Sequence, residues 1–280
     1  MLGKSLMISY AKQIERIYRL NKKKLFSDYL FNLSRMILNI GLPIITLPFV
    51  LNRIGPENYG IFSFSNSIIS YFTLAAILGI PDYASRAIAR LEDRESIKQT
   101  ASEIFAIQFI SVSIALILFF AVFYPLAPLE YKAVFQILSI MIGACYFNTE
   151  WFFIGRQKFK YIALRSMIVK LLNVAAILLI IRDGDNSYKY ALIVALTNLG
   201  NGIVNIAGTL PYLRFKNLEL KQHLRPIMIL FGLSITGLIN TNIDKTLTGA
   251  LVGPLYVGYY AVGFRLTRII QQLFSAYFRG

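Results

Sequence analysis

Eight apolar stretches, each roughly 20 residues long, alternate with short polar connectors along the chain after residue 28. A helix of about 20 apolar residues is long enough to cross the roughly 30 Å hydrocarbon core of a bilayer. Only 15% of the residues are charged and 56% are apolar, whereas soluble domains have about 25% charged residues. We therefore predict an all-α, polytopic membrane protein with about eight transmembrane helices, near residues 29–52, 60–81, 102–124, 133–154, 164–181, 190–212, 227–251 and 257–278.

Basic residues are concentrated in every second connector. The first 28 residues carry seven Lys and Arg, and the connectors at 82–101, 155–165 and 213–226 carry four each, whereas the alternate connectors carry four in total. Cytoplasmic loops of membrane proteins show such an excess. We therefore expect the amino terminus and the basic connectors on the cytoplasmic side. Topology thus explains most of the net charge of +15, and no nucleic-acid partner is expected.

Residues 1–27 form a basic cytoplasmic segment before the first span. The segment lacks the apolar core of a cleavable signal peptide. Leu6, Tyr10, Ile14 and Ile17 recur at helical spacing, which is typical of an amphipathic helix lying on the inner leaflet. A solvated tail explains the same residues equally well, so both interpretations stay open.

The connectors limit the chemistry that the chain can perform. The outer connectors have about seven to nine residues and the longest inner ones about 20, which is too short for a folded domain. The sequence contains no nucleotide-binding, zinc-protease or serine-hydrolase motif. The single cysteine, Cys145, lies in an apolar stretch, and the single histidine, His223, is expected to be a solvated loop residue. We therefore expect neither an enzyme nor a cofactor or metal site.

A Gly-Pro-x-x-x-Gly string occurs twice, at Gly55-Pro56-x-x-x-Gly60 and at Gly253-Pro254-x-x-x-Gly258. We interpret each copy as a structural turn on the outer face, where Gly and Pro end one span and the next span begins within a few residues. The offset of 198 residues predicts two homologous six-span units in the same orientation. Residues 28–225 are then the first bundle, and residues 226–280 begin the second. The alternative is that short outer loops simply favour Gly-Pro.

The repeat also makes a prediction about chain length. A complete second unit would end near residue 423, whereas this sequence ends at Gly280. We therefore expect residues 226–280 to be the first two helices of an incomplete second bundle, in a truncated form of a twelve-helix, two-bundle transporter.

Polar and charged residues share single helical faces within several predicted spans. A charge inside a bilayer costs about 2.5–3.5 kcal/mol, so such residues are expected to face protein or a water-filled cavity. Asn and Ser can equally serve as contacts between helices, and Asp244 can neutralise its neighbour Lys245. The remaining basic excess predicts an anionic ligand, since guanidinium groups suit phosphate geometry. The basic residues concerned are Arg35, Lys245, Arg265 and Arg268.

Four stretches of the chain resemble Wzx-type polysaccharide flippases, members of the multidrug, oligosaccharidyl-lipid and polysaccharide exporter superfamily. They are LPIITLPFVLNRIGPENYGIFSFSNSIISYF, LGIPDYASRAIAR, WFFIGRQKFKYIALRSMIVKLL and NIDKTLTGALVGPLYVGYYAVGFRLTRII. The resemblance covers about residues 28–278. It implies two six-span bundles that open alternately and move undecaprenyl-pyrophosphate-linked oligosaccharide across the bacterial inner membrane for surface polysaccharide such as O-antigen. The departure is the length, since members of the family have about twelve spans.

The resemblance also implies roles and partners. The partners are the lipid-linked oligosaccharide, the lipid bilayer and other polysaccharide assembly proteins. Asp244 becomes a candidate for proton or cation coupling. The residues expected to receive the pyrophosphate or the sugar hydroxyls in a cavity are Arg35, Asn39, Asn66, Ser67, Lys245, Arg265 and Arg268.

Three other functions are alternatives to this one. One is a cation-coupled drug exporter of the same superfamily, which should prefer an acidic cavity rather than the basic one expected here. Another is a non-functional fragment. An integral-membrane glycosyltransferase would need larger outer loops with acid and base residues. Glu130, Asp183 and Asp185 are too few and too dispersed for that chemistry.

Overall fold

The computed structural model describes residues 41–279 apart from Pro43, with side chains described to residue 271. This part of the chain is all-helical. Its helices are α1 (44–77), α2 (Ile80–Ala89), α3 (Arg94–Leu118), α4 (Leu129–Ala144), α5 (Glu150–Gly155), α6 (Phe159–Ile180), α7 (Ser187–Thr209), α8 (Lys221–Leu251) and α9 (Pro254–Arg279). A π-helical turn, Phe119–Phe123, continues α3 to Leu126, and 3-10 turns follow α4 and α7. The predicted basic segment 1–27 lies outside the described residues.

Six helical stretches of the described part are long and apolar enough to cross a membrane. They are Ile44–Ala89, Arg94–Leu126, Leu129–Gly155, Phe159–Ile180, Ser187–Tyr212 and Lys221–Leu251. Large apolar side chains such as Leu172 and Leu179 are exposed on these helices, as expected for surfaces that contact lipid. The prediction of an all-α polytopic membrane protein is therefore confirmed. The count of eight spans stays a prediction, because most of the first span lies outside the described residues.

The span predicted near residues 133–154 corresponds to Leu129–Gly155, but its helix is interrupted inside the span. Helix α4 ends at Ala144 and α5 begins only at Glu150. Gln108 of α3 is buried at the break, where its Nε2 donates to the Cys145 carbonyl at 2.6 Å and its Oε1 accepts from Trp151 Nε1 at 3.0 Å. Backbone groups freed inside a membrane must be satisfied by other protein groups or by water. The Gln108 side chain thus makes the interruption tolerable.

The two sets of connectors meet at opposite ends of the bundle. At one end Arg53 forms an ion pair with Asp183, and the Gly184 N–H donates to the Arg53 carbonyl at 3.0 Å. At the other end Arg214 pairs with Glu95 at 3.0 Å, which joins two of the basic connectors. Each of these contacts therefore joins segments that the charge pattern assigned to the same side. The placement of the basic end in the cytoplasm stays a prediction.

His223 is not a solvated loop residue, so that expectation is wrong. It is 5% exposed, because α8 begins at Lys221, six residues before the predicted span, and directs this side chain into the bundle. Its Nε2 lies 2.8 Å from Glu103 Oε2, and its Nδ1 lies 2.7 Å from the Tyr83 hydroxyl. His223 thereby joins α8 to α2 and α3 at the basic end.

We expect the His223→Leu variant to lose about 3 kcal/mol of stability, since it leaves the buried Glu103 carboxylate without its imidazole partner. The measurement is the apparent melting temperature of the purified protein in detergent. Gln222→Leu is the matched control, because Gln222 is exposed and makes only a 3.3 Å bond to the same carboxylate. Equal destabilisation by the two variants would contradict a special role for the buried pair.

Candidate functional site

The two Gly-Pro strings lie in the helical segments that build the site. Gly55 has φ +79° and Gly253 has φ +107°, a left-handed conformation that glycine adopts without steric cost. Gly253 lies between α8 and α9, and α9 begins at Pro254, since proline needs no N–H partner at that position. Gly55 instead lies inside α1, and helical structure continues on both sides of it. The helix therefore continues where a connector of several residues was expected.

The second glycines of the two strings pack against each other's segments. A Cβ on Gly60 would lie 1.7 Å from the Pro254 carbonyl oxygen, and a Cβ on Gly258 would lie 2.0 Å from the Pro56 carbonyl oxygen. Helix backbones approach this closely only where the residues are small. The contact is reciprocal and follows the 198-residue offset, so α1 and α9 cross where the two strings meet. Interpreting the strings only as turns misses this contact, and the division into two bundles stays a prediction.

A cavity of about 230 Å³ lies beside this crossing, between α1, α8 and α9. Positions related by the 198-residue offset line the cavity from both sides. Ser63 corresponds to Ala261, and Asn66 corresponds to Phe264. The wall from α1 is polar and aromatic, whereas the walls from α8 and α9 are basic. The lining residues are Tyr59, Phe62, Ser63, Asn66, Lys245, Ala261, Phe264, Arg265 and Arg268.

The lining is strongly positive. It holds three cationic side chains, and none of the lining residues in the described part of the chain is acidic. Neutral groups hold the cations: an Arg265 guanidinium nitrogen lies 3.4 Å from the Tyr59 hydroxyl, and the Phe264 ring centroid lies 5.1 Å from Arg268 Cζ and 5.8 Å from Lys245 Nζ. Ring faces attract cations without cancelling their charge. The cavity therefore suits an anion.

Asp244 does not pair with Lys245 in the structure. Lys245 Nζ donates to Asn242 Oδ1 at 2.8 Å, whereas the Asp244 carboxylate accepts from the Tyr260 hydroxyl at 2.6 Å. The Asp244 side chain is exposed. The carboxylate thus lies next in sequence to a cavity residue but does not neutralise it by a direct ion pair.

The structure brings together part of the site that helical phasing predicted. Four of the predicted residues line this cavity: Asn66, Lys245, Arg265 and Arg268. Arg35 and Asn39 lie outside the described residues. The binding role of all six stays a prediction.

Ser67 is placed behind the cavity and not on its surface. Its side chain is fully buried, and its hydroxyl donates to the Phe64 carbonyl at 2.7 Å and lies 3.1 Å from Thr246 Oγ1. The structure thus gives Ser67 the contact role between helices that was left open for the polar faces.

Sequence reasoning missed the three aromatic residues of the lining. Tyr59 lies four residues before Ser63, Phe62 four before Asn66, and Phe264 four before Arg268. Each therefore extends a polar face that the helical period indicates. Restricting the search to polar and charged types excluded them.

The acidic residues of the loop that contacts Arg53 are engaged by basic partners. Asp183 pairs with Arg53, and Asp185 accepts from Lys189 Nζ at 2.7 Å. The Lys189 bond, together with the Arg182 N–H, holds the pKa of Asp185 below its usual range. A general acid needs a raised pKa instead, so Asp185 does not suit that role.

Comparison with known proteins agrees with the resemblance found in the sequence. The family described as "Polysaccharide biosynthesis protein" matches residues 25–279. A protein of Escherichia coli K12 named "Putative O-antigen transporter" is 25% identical over 174 residues, which is 60% of this chain and 41% of that relative. This chain therefore matches about two fifths of the relative's length. No solved structure matches the chain significantly. Since the family match covers most of its length, the chain belongs to the polysaccharide biosynthesis protein family.

Proposed function

We propose that the protein is a flippase that moves undecaprenyl-pyrophosphate-linked oligosaccharide across the bacterial inner membrane for surface polysaccharide synthesis. The observation that carries this proposal is the cavity with three cations and no acidic lining residue in the described part of the chain. A pyrophosphate is a compact anion that arginine side chains bind with paired hydrogen bonds. The E. coli relative is named for O-antigen transport, which supports this class of substrate.

In this proposal each wall of the cavity has its own role. Lys245, Arg265 and Arg268 receive the pyrophosphate, while Ser63 and Asn66 on the opposite wall bond to sugar hydroxyls. The undecaprenyl chain stays in the bilayer, and the basic connectors and the amino terminus face the cytoplasm. At about 230 Å³ the cavity is smaller than the roughly 300–1,000 Å³ of sites for drug-sized ligands. Passage of an oligosaccharide therefore requires α1 and α9 to separate.

The test is transport by the purified chain in liposomes. Undecaprenyl-pyrophosphate-linked oligosaccharide is placed in the inner leaflet, and its arrival outside is measured by cleavage with a membrane-impermeant glycosidase. We expect faster cleavage than in protein-free vesicles and no acceleration for undecaprenol carrying the same sugar without pyrophosphate. Transport of a cationic dye without movement of the sugar lipid would instead indicate the drug exporter. Absence of both activities would indicate a non-functional fragment.

We further propose Asp244 as the carboxylate that couples transport to a proton or cation gradient. It is exposed, is held by Tyr260, and lies next in sequence to a residue of the basic cavity. Asp244→Asn should lower gradient-driven transport about tenfold while exchange without a gradient continues. Gradient-driven transport that is insensitive to this substitution would exclude the role.

A further inference from the structure

We propose that a second pocket, at the basic end of the molecule, binds the phosphate headgroup of an anionic membrane phospholipid. The pocket has a volume of about 340 Å³ and lies between α2 and the first turns of α8. One wall carries Tyr83, Arg86 and Arg90, and the other carries Pro226, Ile229 and Leu230. The proposal depends on the membrane fold and not on the proposed transport activity.

The charge of this pocket matches a phosphate. Arg86 and Arg90 are four residues apart, which places them one above the other on the same helical face, and both side chains are exposed. Neither takes part in the ion pairs of the described residues, although α2 also carries Asp82. Two guanidinium groups free of carboxylate partners in this region offer paired donors to phosphate oxygens.

The apolar wall distinguishes a lipid from a free phosphate. Ile229 is 61% exposed, and its α8 neighbours Met228 and Leu233 are 51% and 70% exposed. An acyl chain can cover this surface while the headgroup remains at the arginines. Basic pockets between transmembrane helices on the cytoplasmic side bind lipid headgroups in this way.

The position of the pocket gives the lipid a structural effect. Its walls come from α2 and α8, the helices that the Tyr83 hydroxyl and His223 Nδ1 join at 2.7 Å. A lipid in the pocket contacts both helices and therefore binds better when α2 and α8 are packed together than when they are apart. Binding to one state stabilises that state by linkage.

The experiment measures lipid binding to the delipidated chain by native mass spectrometry. Phosphatidylglycerol and phosphatidylcholine with the same acyl chains are titrated separately. We expect one phosphatidylglycerol to bind at least tenfold more tightly than phosphatidylcholine and to raise the apparent melting temperature. The variant Arg86→Gln/Arg90→Gln should lose this preference. The matched control is Arg156→Gln/Lys158→Gln, which removes two exposed charges from another basic connector and should keep it.

Three results would overturn the proposal. The first is equal loss of the preference in the control variant, which would indicate a general effect of charge. The second is inorganic phosphate binding with the same dependence on Arg86 and Arg90, since the apolar wall would then be irrelevant. The third is preferential binding of undecaprenyl pyrophosphate over phosphatidylglycerol at these arginines, which would assign the pocket to the transport substrate. Failure of the liposome transport test leaves all three measurements unaffected.

Discussion

The double variant Arg265→Glu/Arg268→Glu is expected to lose transport of the lipid-linked oligosaccharide by about 100-fold or more. It changes the lining from three cations to one cation and two anions. Two like charges about 4 Å apart repel by about 4 kcal/mol at an effective dielectric constant of 20, and about 1.4 kcal/mol corresponds to a factor of ten in binding. A pyrophosphate would therefore be excluded from the cavity. The liposome assay measures the rate, with protein abundance checked in the same vesicles.

The conservative variant Arg265→Lys/Arg268→Lys is the matched control. It preserves the charge but not the paired donors of the guanidinium, so we expect partial activity. If the glutamate variant at normal abundance transports as fast as the wild-type protein, these arginines are not the pyrophosphate site. If both variants are inactive, transport requires the guanidinium geometry at these positions and not the positive charge alone.

Replacing Gly60 by alanine is expected to have the second large effect. The added Cβ would lie 1.7 Å from the Pro254 carbonyl oxygen and 2.8 Å from the Gly258 nitrogen. Both obstacles are backbone atoms, so no rotation of a side chain can relieve the clash. Overpacking typically costs about 1–3 kcal/mol, and a clash with rigid backbone atoms belongs at the upper end of that range. We therefore expect α1 and α9 to stay apart at their crossing, and alternating access, which needs them to close again after each passage, to fail.

Spin labels at Glu57 and Leu255 measure this separation. Both side chains are exposed, and the 198-residue offset relates the two positions. In a Cys145→Ala background the distance between the labels should increase in Gly60→Ala and in Gly258→Ala. Gly263→Ala is the control, because a Cβ there meets no atom within 4 Å. An unchanged distance in Gly60→Ala, together with normal transport, would show that the crossing is not required.

Local patterns predicted a large part of the architecture. Span length and composition predicted an all-helical membrane protein, because each span must meet the bilayer's length and polarity requirements by itself. Asn66 lies three residues from Ser63, and Arg268 three from Arg265, so the members of each pair share a helical face. Both pairs line the cavity.

Other features depended on partners far away in sequence. The break after α4 is tolerated because Gln108, 37 residues earlier, bonds to the Cys145 carbonyl. His223 can be buried because Glu103 and Tyr83 bond to its two ring nitrogens inside the bundle. A single polar residue in an apolar or basic segment does not identify its partner, so neither arrangement follows from local pattern.

The amino-acid sequence by itself determined the membrane class, the segregation of charge between two ends and the period of the polar faces. Each depends on how a short segment meets lipid or water. The tertiary structure alone decided which faces meet: Gly60 lies on the Pro254 carbonyl, Ser67 lies against Thr246, and three cations surround one cavity. The physical reason is that helix packing depends on shape complementarity between segments nearly 200 residues apart, which periodicity within either segment does not encode.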